Sequence, residues 1–398
     1  MQRLPSSGRN ICKGMNVKFK IARLCEVCDF QGGSQPPKEE WAKEPKPNYV
    51  RMLQIRDFTQ SSTEYIEYVK QSKSLKYCSE DDVLIGRYGA SVGKILSGLS
   101  GAYNVAIIKS IPNESLVSKA FIKSYFLSSY FQHNLAVVSQ HRAAQAGFSK
   151  EDIAEFHIPL PSLDEQERIV AELDLLTGII DKQKSQLKEL DNLAQSIFYD
   201  MFGDPEDNEK GWKCLRLGDL CNSDLGKTLN QAKDTGELRP YLCAINIKWQ
   251  QIDLLTLKNA RFEKDEIERY SVTKGDLLVC EGGDIGRSAI WDKDYDIQYQ
   301  NALHRLRFTG KITAQYCLFT LQCLKQKGVL DSKYGNGVTI KHLVKSSLLS
   351  IPIPVPPITL QESFAQKIQS IESQKAAINR SIAETQKLFD YTMDKYFG

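Results

Sequence analysis

Ile158-Pro159-Leu160-Pro161-Ser162-Leu163-Asp164-Glu165-Gln166-Glu167-Arg168-Ile169 returns 195 positions later as Ile353-Pro354-Val355-Pro356-Pro357-Ile358-Thr359-Leu360-Gln361-Glu362-Ser363-Phe364. The register holds without a gap for 46 residues, through Leu193 on Leu388 to Phe202-Gly203 on Phe397-Gly398. Proline donates nothing to a ladder and holds its predecessor extended, so each Pro-rich segment ends a domain. Asp164 and Thr359 then read as helix N-caps, with Glu167 and Glu362 placed to return the reciprocal bond. Downstream, Ile169, Leu173, Leu176, Ile180, Gln183, Leu187, Leu190, Ala194, Ile197 and Met201 advance in alternating steps of four and three. Phe364, Ile368, Ile371, Lys375, Ile378, Ile382, Thr385, Phe389, Thr392 and Tyr396 keep the same phase.

A 3.5-residue stripe over five heptads predicts two long helices that pair as a coiled coil. Some 36 residues at 1.5 Å each reach roughly 55 Å. The packing side chains are Ile169, Leu173, Leu176, Ile180, Leu187, Leu190 and Ile197 against Ile368, Ile371, Ile378, Ile382 and Phe389. Polar breaks at Gln183, Lys375, Thr385 and Thr392 fix register or face another subunit. In the alternative, each helix is simply amphipathic and packs on its own domain. The turn Gly203-Asp204-Pro205-Glu206-Asp207 offers no core to lie on, which favours mutual packing.

The repeat extends upstream. Leu24-Cys25-Glu26-Val27-Cys28 resembles Leu217-Gly218-Asp219-Leu220-Cys221, and Gly33 falls on Gly226. Tyr49 and Gln54-Ile55-Arg56 fall on Tyr241 and Asn246-Ile247-Lys248, and Asp82 to Ile85 echoes Asp276 to Val279. A period this long is two copies of a whole domain plus connector, since solenoid repeats run roughly 20–50 residues. The expected fold is α+β: two tandem β-rich mixed domains separated by two long helices. The expected boundaries are a flexible lead-in 1–16, a domain 17–161, a helix 162–203, a domain 204–357 with its leading linker, and a helix 358–398. Short strands are expected at Tyr49 to Ile55, Asp82 to Ile85, Val105 to Lys109, Tyr241 to Ile247 and Asp276 to Cys280. Helices are expected at Ser118 to Leu127 and Ala314 to Lys325.

The chain has 398 residues, 41% hydrophobic and 25% charged, an ordinary globular balance for more than one domain. No run approaches 18 apolar residues and no signal-peptide core opens the chain, so a cytoplasmic protein without a membrane span is expected. Ten cysteines then read as reduced thiols. Cys25 and Cys28 have CxxC spacing without a second pair, which favours packing at a domain base over zinc. The net charge of +3 permits nucleic-acid binding without requiring it.

Catalytic signatures are missing. Gly89 to Ile95 is one residue short of a phosphate loop, and Ile95 stands where the magnesium-binding hydroxyl belongs. None of the five histidines falls in a HExxH or a histidine–cysteine cluster, and GxSxG and the Asn-Pro-Pro-aromatic mark of adenine methyltransferases are absent. Loops mixing basic, amide and hydroxyl groups with glycine do recur, and these residue types suit phosphates and base edges. In the first copy the candidates are Ser34, Gln35, Arg56, Arg87, Tyr88, Arg142, Gln145 and Lys150. In the second they are Lys227, Thr228, Lys248, Arg287, Lys333, Asn336, Thr339, Lys341 and His342.

The duplicated Pro-rich segments with Gln166-Glu167 and Gln361-Glu362, the endings Met201-Phe202-Gly203 and Tyr396-Phe397-Gly398, and Gly211-Trp212 opening the second copy resemble specificity subunits of type I restriction–modification systems. The resemblance covers nearly the whole chain from about Val17. It implies two target-recognition domains that each read one half of a split, asymmetric double-stranded DNA site, with the two helices antiparallel as a spacer. It also implies two methyltransferase subunits and restriction–translocase subunits as partners. Those partners, not this chain, would carry S-adenosylmethionine, ATP and magnesium. Two other classes compete: a coiled-coil scaffold without DNA readout, and a stand-alone DNA nuclease or methyltransferase with cryptic motifs.

Overall fold

A computed structural model describes residues 19–140, 147–230, 234–337 and 341–398, so the lead-in lies outside the described residues. The chain divides into two compact units, Met1–Lys184 with Arg380–Gly398, and Ser185–Asn379. Both long helices run for 40 residues, Leu163–Phe202 and Ile358–Phe397, and each contributes one half to each unit. No helix among the described residues is long and apolar enough to cross a membrane.

The first unit is built on an antiparallel central sheet ordered Cys28–Gly32, Ile107–Pro112, Leu84–Gly86, Ile95–Leu96. An outer sheet is ordered Trp41–Ala42, Glu67–Lys70, Tyr49–Leu53, Gly101–Tyr103, Tyr77–Cys78, with Tyr49–Leu53 and Gly101–Tyr103 parallel. The second unit repeats the plan. Its central sheet is ordered Cys221–Leu225, Leu303–Phe308, Leu277–Cys280, Ser288–Ile290. Its outer sheet is ordered Lys258–Phe262, Glu237–Leu242, Ile297–Tyr299, Ser271–Val272, again with one parallel pair. Leu277–Cys280 is buried at every position, which is why this strand is a continuous apolar run rather than an alternating one. The Pro-rich segments end each domain as edge strands: His157–Leu160 pairs with Lys20–Arg23, and Pro352–Pro354 with Cys214–Arg216.

Strand pairing corrects the upstream register. Leu53 pairs with Tyr103 and Leu242 with Tyr299, so Leu53 corresponds to Leu242. Tyr49 therefore falls on Leu238 rather than Tyr241, and Arg56 on Ile245 rather than Lys248. The capping bonds agree, since Asp57 Oδ2 accepts from the Gln54 amide and Asn246 Oδ1 from the Cys243 amide.

The helix starts also differ from expectation. The helices begin at Leu163 and Ile358, so Ser162 and Pro357 hold the cap positions and Asp164 and Thr359 lie inside. Ser162 Oγ accepts from the Glu165 amide at 3.4 Å, while Glu167 and Glu362 are exposed. The element that anchors each start is a fully buried glutamine. Gln166 Oε1 accepts from the Ser118 amide at 2.9 Å, and its Nε2 donates to the Leu116 and Pro161 carbonyls at 2.8 and 3.1 Å. Gln361 does the same with the Thr313 amide and the Lys311 and Pro356 carbonyls. Ser118 and Thr313 cap helices Lys119–Leu127 and Ala314–Gln326, so one amide side chain ties a domain helix to a long helix in each unit.

Within each unit the long-helix segments run antiparallel. In the first, Arg168 Nη2 donates to Tyr396 Oη at 3.1 Å and Gln183 Nε2 to Ser381 Oγ at 2.7 Å. In the second, Lys375 Nζ meets Asp191 at 2.7 Å and Phe202 packs edge-on to Phe364. Ile169, Leu173, Leu176, Ile180, Ile368 and Ile371 are buried, whereas Leu187, Leu190, Ile197, Ile378, Ile382 and Phe389 are half-buried. The two packing alternatives turn out to coexist. Phe198 and Phe202 sit in the core of the second unit with Tyr316 and Phe319, so the helix does find a domain core just before the turn at Gly203. Tyr396 and Phe397 do likewise in the first unit with Phe121 and Tyr125.

A buried carboxylate gives the first unit an acid-sensitive joint. Asp82 accepts from the Ser79 amide at 3.0 Å, Lys119 at 3.0 Å and Lys109 at 3.2 Å. Burial alone would raise its pKa; the amide and the two ammonium groups outweigh that and hold it at about 2. A depressed native pKa stabilises above the unfolded value near ~4 and loses that contribution as pH falls towards the native one. Asp82→Asn is expected to cost on the order of 1–2 kcal/mol near neutrality and to flatten the stability profile between about pH 4 and 2. Urea midpoints measured across that range read both effects.

Candidate nucleic-acid interface

Antiparallel pairing brings the ends of three central-sheet strands to one edge. In the first unit these are the exits at Gly32 and Gly86 and the entry at Ile107. Loops close over that edge: Ser34 bridges Asn104, and Tyr88 bridges Gly147. The second unit repeats the arrangement, with Lys227 bridging Gln300 and Gly282 bridging His342. A Cβ on Gly33 would lie 2.0 Å from the Asn104 carbonyl oxygen, and one on Gly226 would lie 2.3 Å from that of Gln300. These glycines are demanded by the crossing of two backbones in each unit.

The candidates of the first unit spread over and beyond this edge. Ser34 is used locally, donating to the Ser74 carbonyl and accepting from the Lys76 amide. Gln35 and Lys150 are exposed. Arg87 donates through Nε to the Phe148 carbonyl at 2.8 Å and lies 5.0 Å from the Tyr88 ring centroid. Arg56 pairs with Glu67 at 2.6 Å and lies over Tyr65. Arg142 and Gln145 lie outside the described residues.

In the second unit, Thr228 and His342 meet at the edge, with Asn301 Nδ2 donating to Thr228 Oγ1 at 3.0 Å. Asn336 is tied to His342 by two backbone bonds of 2.8 Å and donates from its side chain to Ser347. Lys248 is exposed, Lys341 is half-buried, and Lys333 pairs with Glu206 at 2.9 Å. Thr339 lies outside the described residues.

Two assignments need correction. Lys227 is 5% exposed and held by Glu266 at 2.6 Å and Asp234 at 3.3 Å. Burial would lower its pKa, but those carboxylates more than offset it, so the ammonium stays charged and internally neutralised. It is a structural cation rather than a DNA-facing one. Arg287 donates inward to the Ala244 carbonyl at 2.9 Å, bracing the turn at Ala244–Asn246 against the glycine loop.

Sequence reasoning passed over Glu281, Gln300 and Asn301, which with Thr228, Leu229, Ala302 and His342 line a recess of about 330 Å³. The edge therefore offers amides, a hydroxyl, an imidazole and a carboxylate, groups that read hydrogen-bonding patterns. Burial holds the thiol of Cys280, next to Glu281, protonated by pushing it up to about 11, and pushes Cys28, at the far end of the strand Cys28–Gly32, up to about 12. Of the CxxC pair only Cys28 is buried and Cys25 is exposed, so the two do not pack together at a domain base.

With that geometry the comparisons with known proteins agree. The model of the type I restriction modification DNA specificity domain matches this chain twice, over residues 16–192 and 209–386. The chain belongs to this family. A specificity-domain chain with two copies accounts for the doubled sheet plan and the doubled glutamine anchor. Over 347 residues it is 23% identical to the type I restriction enzyme MjaVIII specificity subunit of Methanocaldococcus jannaschii, covering 78% of each chain. It is 22% identical over 386 residues to the EcoBI specificity subunit of Escherichia coli, covering 87% of this chain and 79% of that one. Among solved structures, a chain from a study of assembly and conformational transition in the type I R-M system aligns with a TM-score of 0.61 at 19% identity, covering 95% and 97%. The S subunit from M. genitalium aligns at 0.53 and 14%, covering 96% and 97%. Those likenesses establish the fold of two mixed domains with a long helix between them.

Proposed function

We propose that this specificity-domain chain is the non-catalytic DNA-reading subunit of a type I restriction–modification complex. Each unit reads one half of an asymmetric bipartite site in double-stranded DNA, and the helix pair acts as the spacer. Two methyltransferase subunits and restriction–translocase subunits are its partners, and they carry S-adenosylmethionine, ATP and magnesium. The complex works in the cytoplasm, where the DNA is. One observation carries the reading: the same loop-bearing sheet edge is built twice on one frame with different side chains, as two readers of unlike sequences require. A palindromic site would call for two identical edges.

Titration of the complex with its methyltransferase subunits against a duplex carrying the site tests this. Phosphate neutralisation makes affinity fall by orders of magnitude between about 50 and 200 mM salt. A scaffold without DNA contacts would show no such binding. Methylation or cleavage by this chain alone, supplied with metal and S-adenosylmethionine, would instead make it an enzyme.

A further inference from the structure

We propose that Arg87 and Glu281 occupy the same base-reading position in the two units, Arg87 taking a guanine and Glu281 a base with an exocyclic amine in the major groove. This rests on the DNA-reading role proposed above.

Backbone bonds establish the equivalence. The Gly86 amide donates to the Lys94 carbonyl at 2.8 Å and Gly93 returns a bond to Gly86 at 3.0 Å. In the second unit Cys280 donates to Arg287 at 2.8 Å and Gly286 returns a bond to Cys280 at 3.0 Å. The glycine loop is thus one residue shorter there, and Arg287 corresponds to Lys94. The next residue is Arg87 in one unit and Glu281 in the other. Their amides donate to Ala106 and Ala302, at 2.8 and 2.9 Å. Each also meets the same following loop: Arg87 Nε donates to the Phe148 carbonyl, and the Leu343 amide donates to the Glu281 carbonyl at 2.7 Å. One position on one frame carries opposite charges.

Both side chains are held ready for a ligand. Arg87 is braced through Nε and by the Tyr88 ring, which leaves Nη1 and Nη2, and among the described residues it has no ion-pair partner. Two parallel donors match O6 and N7 of guanine. The Glu281 side chain is 19% exposed and opens into the recess with Thr228, Asn301 and His342. Among the described residues its one ion-pair contact within 4 Å is His304, 3.9 Å away, whose ring nitrogen engages the Leu343 carbonyl at 3.0 Å. Burial holds that imidazole below its ordinary pKa, so it does not neutralise the carboxylate. A carboxylate repels phosphate, but it accepts from N4 of cytosine or N6 of adenine.

The test uses the complex with its methyltransferase subunits on duplexes of the mapped site. Each guanine of the half read by the first unit is replaced in turn by 7-deazaguanine. In the other half, each cytosine is replaced by an analogue lacking N4 and each adenine by one lacking N6. One 7-deazaguanine position should weaken wild type by roughly five- to a hundredfold and leave Arg87→Ala unaffected. One amine-deleted base should do the same for wild type against Glu281→Ala, and the arm that responds names cytosine or adenine. Penalties that persist in the variants, or that vanish in the wrong half, overturn the assignment. Should an alanine variant fail to fold, Arg87→Met and Glu281→Leu, which keep the bulk and remove the hydrogen-bonding groups, replace it in mapping of methylated host DNA. Each should then relax one position of its own half only, and an unchanged motif overturns the assignment. Wild type that prefers no sequence at all removes the DNA-reading role itself, before any variant is compared.

Discussion

Phe397→Ala and Phe202→Ala are each expected to cost about 3–5 kcal/mol, and each should loosen a different unit. Phe397 is 2% exposed with its ring 5.1 Å from Phe121 and 6.2 Å from Tyr125. Phe202 is equally buried, 4.8 Å from Tyr316 and 5.3 Å from Phe364. Each ring closes a cluster of aromatics, so its removal leaves a cavity that the surrounding helices and strands fill only in part. The two positions are related by the repeat, yet the second core is closed by the first long helix and the first core by the last residues of the chain. The first unit therefore depends on contacts of very long sequence separation, which slows folding. Hydrogen exchange resolved by segment reads the prediction directly. Phe397→Ala should raise exchange in Lys119–Leu127 and Ile107–Pro112, and Phe202→Ala in Ala314–Gln326 and Leu303–Phe308. Equal loosening of both units by either variant, or a cost below about 1 kcal/mol, would contradict it.

Lengthening both long helices together is expected to change the DNA site rather than its half-sequences. A heptad inserted within 182–192, matched by one within 372–382, adds about 10 Å of helix at 1.5 Å per residue, equivalent to about three base pairs. The apolar phase survives because the insertion is one full heptad. If the helix pair is the spacer, the gap in the mapped methylation motif should widen by about three base pairs while both halves stay the same. An unchanged gap would mean that something other than helix length sets it.

The frame was legible and the edges were not. The gapless 46-residue match at an offset of 195 and the heptad phase located both long helices to within a residue or two, because a coiled-coil stripe leaves its period in one dimension. The strands Leu84–Gly86 and Leu277–Cys280 were legible for a similar reason, as short apolar runs between turns. Inside the domains, loop lengths diverge, and matching residues by type misleads. Tyr49 matches Tyr241 by residue type, when the ladders align it with Leu238. Lys227 looked like a surface cation because Glu266, which neutralises it, lies 39 residues away. Gln166 and Gln361 were visible as a repeated pair, but their buried role depends on Ser118 and Thr313, 48 residues upstream of each. The repeat was the signal there; a polar side chain kept in both copies beside a cap position points to a shared internal partner.

Mapping of modified adenines in DNA from cells that carry this chain with its methyltransferase subunits reaches the central claim most directly. One asymmetric motif is expected, with two different short halves at a constant gap, and it should disappear when this chain is deleted. A palindromic or continuous motif, or one that persists without the chain, would contradict the account.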